Sequence, residues 1–379
     1  MTENLTTIKH TTCYECDANC AFTVTLNPQG EAVAVEGLPN CPRGQMQLER
    51  QYHAERLLYP LKRVGAKGSG QFARISWDEA LDTIVAELNK AKAKYGAPAA
   101  GFFAGYTKEA RPQLQRLAHA FGSPNYLTES GCCFSATMVA EKLTYGYKLK
   151  TTSTVESPKT KCVLVWSTNA SGSIPPFENH HLAKKKKNRK MIVVDPRRTE
   201  TAELADIHLQ IRPGTDGALA LGFHHLIFAN GWQDQAFLDE WANGLEAFRD
   251  YIREFTPSRV ADICGIQEAD LRAAVEIFAT ELPSQIAMSP TSTVQHSNGF
   301  QNHRAMILLS AVLGMIDREG GNRFFNDKVL PKPIELFDVC VKELPPRIGD
   351  EVFPIWTKYW PAGQSMLMPD CILEGKPQP

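Results

Sequence analysis

The sequence predicts an α/β protein, with a small β-rich N-terminal segment followed by doubly wound, parallel-sheet (Rossmann-like) domains. Two observations carry this. From about residue 160, short runs of β-branched and aromatic residues alternate with segments of helical period, as parallel strands joined by crossover helices require. The first 60 residues instead lack helical periodicity and hold four of the ten cysteines. A chain of 379 residues is longer than a single core usually supports, so two or three domains are expected.

Phe22-Thr23-Val24-Thr25-Leu26 and Ala32-Val33-Ala34-Val35 flank Asn27-Pro28-Gln29-Gly30 and read as a β-hairpin. Ser76 and Glu79 bracket Trp77-Asp78 as a capping box, which starts a helix. Its apolar face is Ala80, Leu81, Ile84, Val85 and Leu88, and Tyr95-Gly96 ends it. A strand is expected at 100–104 and a second helix at 109–121. Val163-Leu164-Val165-Trp166 and Met191-Ile192-Val193-Val194 have the composition of buried strands, and 208–211 that of a shorter one. Helices are expected at 177–187, 217–229, 269–280 and 304–313. The last fifty residues are Pro-rich and weakly periodic. No internal repeat or low-complexity tract is visible.

Net charge is −1, which favours neither nucleic acid nor an anionic membrane and is compatible with a small-molecule substrate. The basic run 184–190 reads as a solvated helix end. The opening MTENLTTIKH has neither an apolar stretch nor a twin arginine, and no run approaches the ~18 apolar residues of a membrane span. A cytoplasmic location without a membrane span is therefore expected. Ten cysteines are too sparse for a disulfide scaffold, and four within the first 41 residues point to metal.

Those four have a specific spacing. Cys13, Cys16 and Cys20 form C-x2-C-x3-C, and Cys41 follows in Cys41-Pro42-Arg43-Gly44. Three thiolates in one tight loop and a fourth from a distant turn suit a [4Fe–4S] cubane. Four thiolates also suit tetrahedral zinc, but structural zinc commonly pairs two C-x2-C knuckles, and Cys41 has no knuckle partner.

Further segments follow in order: Leu58-Tyr59-Pro60-Leu61-Lys62-Arg63-Val64-Gly65, Arg74 to Ala80, Gly122-Ser123-Pro124-Asn125, Asp195-Pro196-Arg197-Arg198-Thr199, Pro213-Gly214-Thr215-Asp216, Gln295-His296-Ser297-Asn298-Gly299 and Gly320-Gly321-Asn322. With the cysteine pattern, this series resembles the DMSO-reductase superfamily of molybdopterin enzymes, from residue 13 to about 322. The resemblance implies a catalytic subunit that binds two molybdopterin guanine dinucleotides around one Mo or W atom. It places the guanosine on Asp195, Arg197 and Thr199, at the carboxyl end of a strand, where doubly wound sheets bind nucleotides. Ser167 and Asn169 look like the family's phosphate- and nucleotide-contacting turn. Gly214, Thr215 and Asp216 match a further nucleotide-contacting segment, with Thr215 and Asp216 also suited to cap the helix after them.

By the same resemblance Arg43 lies between cluster and pterin and helps electrons pass. Cys133 falls on the position of the metal's protein ligand, with its neighbour Cys132 as the alternative. A thiolate there is shared by nitrate, thiosulfate, polysulfide and arsenate reductases, some formate dehydrogenases and acetylene hydratase. The closest resemblance is to acetylene hydratase-like and thiosulfate or polysulfide reductase-like members. Asp17, directly after Cys16, matches an aspartate that activates water in acetylene hydratase. A carboxyl kept dry beside the cluster suits a general acid, and a loop cap is the bland alternative. His296 is the best-placed histidine for a substrate funnel. His180, His181, His224, His225 and His303 read as packing or surface residues, and Cys162, Cys264, Cys340 and Cys371 as structural ones.

The expected organisation is a cluster domain at 1–60, an incomplete α/β domain at 61–150 with 325–379 that carries Cys133, and a Rossmann-like pterin-nucleotide domain at 151–324. Family members continue into a C-terminal β-barrel that is absent here. A partner subunit supplying that domain, a separate electron-transfer subunit, or a truncated frame each accounts for this. The leading expectation is two-electron redox chemistry, by oxo or sulfur transfer, with relay through the cluster. The alternatives are a non-redox tungsten-dependent hydratase using Asp17, or a non-catalytic electron-transfer subunit.

Overall fold

A computed structural model describes residues 6–16, 19–38, 41–106, 109–147, 149–150, 157–173, 189–289, 294–324 and 344–375. The chain divides into two compact units. One is 1–48 with 136–327, and the other is 49–135 with 328–379.

The first unit opens with a three-stranded antiparallel sheet, β1 (Thr7–Thr12), β2 (Ala21–Leu26) and β3 (Ala32–Glu36), with β2 in the middle. The β2–β3 hairpin is the expected one. Asn27 Oδ1 accepts from the amides of Gln29 (3.0 Å) and Glu31 (2.8 Å), and Gly30 takes φ +83° in the left-handed region that its missing Cβ permits. β1 carried no sequence signal, because every residue of TIKHTT is exposed and its polarity does not alternate.

In the second unit β4 (Leu61–Arg63) pairs antiparallel with β5 (Phe72–Arg74). Helix α1 (Trp77–Tyr95) starts where Ser76 Oγ accepts from the Glu79 amide (3.0 Å) and stops at Gly96, φ +85°. Both ends were legible, but none of its residues is buried: Leu81, Ile84 and Val85 are each more than half exposed. Only Leu88 reaches a core, packing with Phe102, Ala118 and Tyr126. That core joins α2 (Arg111–Phe121) to the parallel pair β6 (Phe102–Ala104) and β7 (Tyr126–Thr128). Ser123 and Asn125 of the Ser-Pro-Asn segment stitch it together: Ser123 Oγ donates to Ala100 O (2.6 Å), and Asn125 Nδ2 to Pro98 O (2.7 Å).

The chain returns to the first unit through α3 (Ser135–Tyr145) and the short β8 (Leu149–Lys150). β9 (Cys162–Trp166), β10 (Lys190–Val194) and β11 (Ile207–Leu209) then build one sheet. Helices α4 (Asp216–Ala229), α5 (Gln235–Trp241), α6 (Leu245–Ile252), α7 (Pro257–Cys264) and α8 (Glu268–Thr280) precede β12 (Ser284–Met288), followed by α9 (Gly299–Val312) and β13 (Arg323–Phe324). The sheet order is β11-β10-β9-β12, all parallel. Alternate residues face opposite layers. Leu164, Trp166, Ile192, Val194, Ile286 and Met288 join the large core with Leu219, Phe223, Phe278 and Met306. Val163, Val165, Met191, Val193 and Ala287 form the smaller core on the other face. The helix expected at 177–187 lies outside the described residues.

Two close approaches shape this layer. A Cβ at Gly222 on α4 would stand 2.8 Å from Val260 Cγ1 on α7, so glycine lets the helices touch. Asn322 is buried against β12: its Oδ1 accepts from the Ile286 amide (3.0 Å) and from Ser310 Oγ (2.7 Å), and its Nδ2 donates to Ile286 O (2.9 Å). In the second unit the described C-terminal residues form α10 (Pro354–Tyr359) and α11 (Met368–Glu374), helices that the Pro-rich composition hid.

Candidate cofactor site

The sheet winds outward through β10 and β11 on one side of β9, then resumes with β12 on the other. Such a reversal opens a crevice outside the carboxyl ends of the strands flanking it, here β9 and β12. The expected nucleotide residues gather along this edge. Ser167 follows β9 with φ +51°, unusual for a residue with a Cβ, and its amide bonds Val194 O (2.8 Å). Asn169 spans two turns: its Nδ2 donates to Glu200 Oε2 (2.9 Å), and its Oδ1 accepts from Thr201 Oγ1 (2.9 Å). The side chain that resembles a ligand contact thus also ties the loops after β9 and β10 together.

Asp195 is buried and shapes its own turn, with Oδ1 accepting from the Arg197 amide (2.8 Å). Thr199 is buried too and accepts from the Ala202 amide (3.2 Å), while Arg197 is exposed. Gly214 takes φ +85° with open space around it. Thr215 holds the N-cap position of α4, but its hydroxyl donates back to Arg212 O (2.7 Å) and caps no helix amide. Asp216 is buried in the first turn, where a carboxylate complements the helix dipole, and its Oδ1 accepts from Trp166 Nε1 (2.8 Å).

The four thiols lie in the same unit. Cys13 and Cys41 are buried, and Cys16 and Cys20 half-buried. The loop is closed by the Cys13 amide on Cys20 O (2.8 Å) and turned by Asn19 at φ +45°. Burial raises the Cys20 thiol's pKa, and the neighbouring Cys16, Cys13 and Cys41 raise it further. The Cys20 thiol, which feels the charge of the other three, ionises alongside them only around a shared cation, and a four-thiolate donor set is what a [4Fe–4S] cluster takes. Among the described residues no three Cys, His, Asp or Glu side chains converge on a single ion. Gln47 Nε2 donates to Cys13 Sγ (3.3 Å). Arg43 extends to the turn after β9, where its Nη2 donates to the carbonyls of Ser173 and Gly172. Asp17 lies outside the described residues.

Cys133 belongs to the second unit and is half-buried between the 3-10 turn Glu129–Cys132 and α3. Its amide bonds Ser130 O (3.2 Å), and the exposed Cys132 turns its thiol to Glu129 O (3.1 Å). Arg111 pairs closely with Glu129 at the loop's base. A Cβ at Gly131 would stand 2.2 Å from Ser365 Oγ, so the loop is seated against a residue far away in sequence.

His296 is half-buried at the entrance to α9, with Asn302 Nδ2 against its Nε2 (3.2 Å). Asn302, Gly217, Glu200 and Thr201 are contributors that sequence reasoning missed. Asn302 lies one helical turn beyond Asn298, the only hint the sequence offered. His224 and His303 are fully buried, the latter 3.5 Å from Glu141, as packing residues should be. Burial lifts the Cys162 thiol to about 12, consistent with a structural role. His180, His181 and Cys340 lie outside the described residues.

A parallel sheet with a reversal crevice, a four-thiol loop beside it and the ordered motifs along its edge define a class. The chain belongs to the molybdopterin oxidoreductase family, whose profile matches residues 56–349, and within it to the DMSO-reductase superfamily. Membership implies a molybdenum or tungsten pterin cofactor. Acetylene hydratase of Syntrophotalea acetylenica is 33% identical over 320 residues, covering 81% of this chain and 43% of that protein. The thiosulfate reductase molybdopterin-containing subunit PhsA of Salmonella typhimurium is 28% identical, covering 99% of this chain and 51% of its own. The solved structure of acetylene hydratase from Pelobacter acetylenicus matches with a TM-score of 0.71 at 32% identity, over 81% of this chain and 43% of that one. The chain thus spans about half the length of these relatives. Among the described residues no helix is long and apolar enough to cross a membrane.

Proposed function

We propose that this chain is the iron–sulfur and pterin-nucleotide part of a molybdenum or tungsten catalytic unit that performs two-electron oxo or sulfur transfer. The observation that carries the reading is the gathering of Cys13, Cys16, Cys20 and Cys41 in one unit, three of them in a loop closed by the Cys13 amide on Cys20 O (2.8 Å), beside a crevice lined by the family's nucleotide motifs. When bound, the metal–pterin group supplies the two-electron couple. Asp195, Arg197 and Thr199 hold a guanine nucleotide. Ser167 and Asn169 meet its phosphates, and Gly214, Thr215 and Asp216 a second nucleotide. Cys133 is the metal's protein ligand, and His296 faces the substrate. Arg43 supports the relay role, since its guanidinium runs from the cluster loop to the turn after β9. The three-part organisation 1–60, 61–150 with 325–379, and 151–324 goes with this reading. So does a further polypeptide segment or subunit carrying the barrel that completes the pterin site.

The test is anaerobic purification, alone and with the product of the neighbouring gene, followed by assay of Fe, Mo, W, Zn and released guanine nucleotide. About four Fe per chain with Mo or W supports the reading. Zinc in place of iron overturns it.

A second reading is supported by the 33% identity and the 0.71 TM-score to acetylene hydratases: hydration of an unsaturated substrate with Asp17 as general acid. Asp17→Asn separates the two. It abolishes hydration and merely perturbs a redox turnover.

A further inference from the structure

The motif Gln295-His296-Ser297-Asn298-Gly299 forms the turn that starts α9, closed by the Gly299 amide on His296 O (3.0 Å). A Cβ at Gly299 would stand 2.3 Å from Val294 O and 2.4 Å from Val294 Cα, so only glycine lets the turn fold back on the helix start. One turn into α9, Asn302 is 3% exposed and uses both ends of its amide. Oδ1 accepts from Asn298 Nδ2 (2.9 Å), and Nδ2 meets His296 Nε2 (3.2 Å). On the other side stands Gly217 of α4, where a Cβ would lie 2.3 Å from Asn302 Oδ1. Gly217 and Asn298 therefore keep this amide in one place, and Gly299 shapes the turn that brings His296 to it.

An amide nitrogen can only donate. The atom it meets, Nε2 of His296, must therefore carry a lone pair, which leaves the ring proton on Nδ1. We infer that Asn302 is a positioning residue that fixes His296 in its Nδ1–H tautomer, so that His296 acts in the site as a neutral hydrogen-bond donor and meets an acceptor atom of the substrate. This rests on the reading that His296 faces the substrate, but the tautomer itself does not. A buried asparagine one turn into a helix is more than a helix cap here, since Asn298 orients it and Gly217 leaves room for it.

The test is long-range 1H–15N correlation spectroscopy of the full chain labelled with 15N-histidine, above the pH at which histidine protonates (about 6.5). The His296 signals are those lost in His296→Gln. The expected wild-type pattern is a pyridine-like Nε2 and a pyrrole-like Nδ1. In Asn302→Asp, a near-isosteric change that replaces the donor by an acceptor, the two shifts exchange. A pyrrole-like Nε2 in the wild type overturns the inference, and so does an unchanged pattern in Asn302→Asp. If Asn302→Asp fails to fold by circular dichroism, the wild-type spectrum still decides. Failure of the proposed function would appear instead as missing Fe, Mo and W in the same preparation, whatever the tautomer.

Discussion

His224 offers a prediction whose size follows from its surroundings. It is fully buried on α4, with Phe248 edge-on at 4.9 Å between ring centres. Its Nε2 donates to Ala305 O (2.9 Å), a carbonyl that can only accept. Burial drives its pKa from 6.5 down to about 4, and the Ala305 contact offsets only part of that. The folded-state pKa therefore lies below the unfolded one. Between the two values the unfolded chain binds more protons, so stability falls as pH falls, starting near 6.5 and ending near 4. From pH about 7.5 to about 5 the loss from this residue is ~2 kcal/mol, and below about 4 it reaches ~3 kcal/mol. His224→Gln keeps a donor and removes the titration. It should be less stable near pH 7.5 by about 1–2 kcal/mol through lost packing, and the gap should narrow by ~2 kcal/mol near pH 5. Anaerobic urea unfolding of both proteins at the two pH values, with m unchanged, measures this. A gap that stays constant within about 0.5 kcal/mol refutes the burial argument.

Gly222→Ala forces a methyl group to 2.8 Å from Val260 Cγ1 and should cost about 1–3 kcal/mol in urea unfolding. Trp166→Phe removes the donor to buried Asp216 Oδ1 and should cost about 1–3 kcal/mol. In Asp216→Asn the same change should cost less, and a double-mutant cycle reads the difference. Cys41→Ser should take iron from about four per chain to near none in the anaerobic assay, and retention of the full complement would show that Cys41 is not a ligand.

What the sequence disclosed depended on how locally each feature is encoded. β9 and β10 were visible because central parallel strands are continuous apolar runs. β12, equally buried, was not: it opens with Ser284 and Gln285, and only its place beside β9 explains it. Helices α5, α6 and α7 were missed because each is eight residues or fewer, with Gly244 at the start of α6 and Pro257 and Gly265 at the ends of α7. The cysteine loop was legible from spacing alone. The pairings of Asn169 with Glu200 and Thr201 were not, because they cross 31 and 32 residues and exist only once β9 and β10 lie side by side. The exposed stripe of α1 shows the reverse failure: periodicity gives a helix its apolar face without saying what covers it.

Asn322 has a consequence for how this protein behaves in a crowded solution. A sheet's outer strand presents amides and carbonyls to which any passing strand can add, and proteins guard against such growth. At Ile286, the middle residue of β12, both groups are occupied by one side-chain amide that imitates a neighbouring strand without being one. Sheet extension is thus blocked at that point by a residue that cannot itself pass the pairing on. Asn322→Leu would leave the buried Ile286 amide and carbonyl without partners, and should cost about 1–3 kcal/mol for each in urea unfolding.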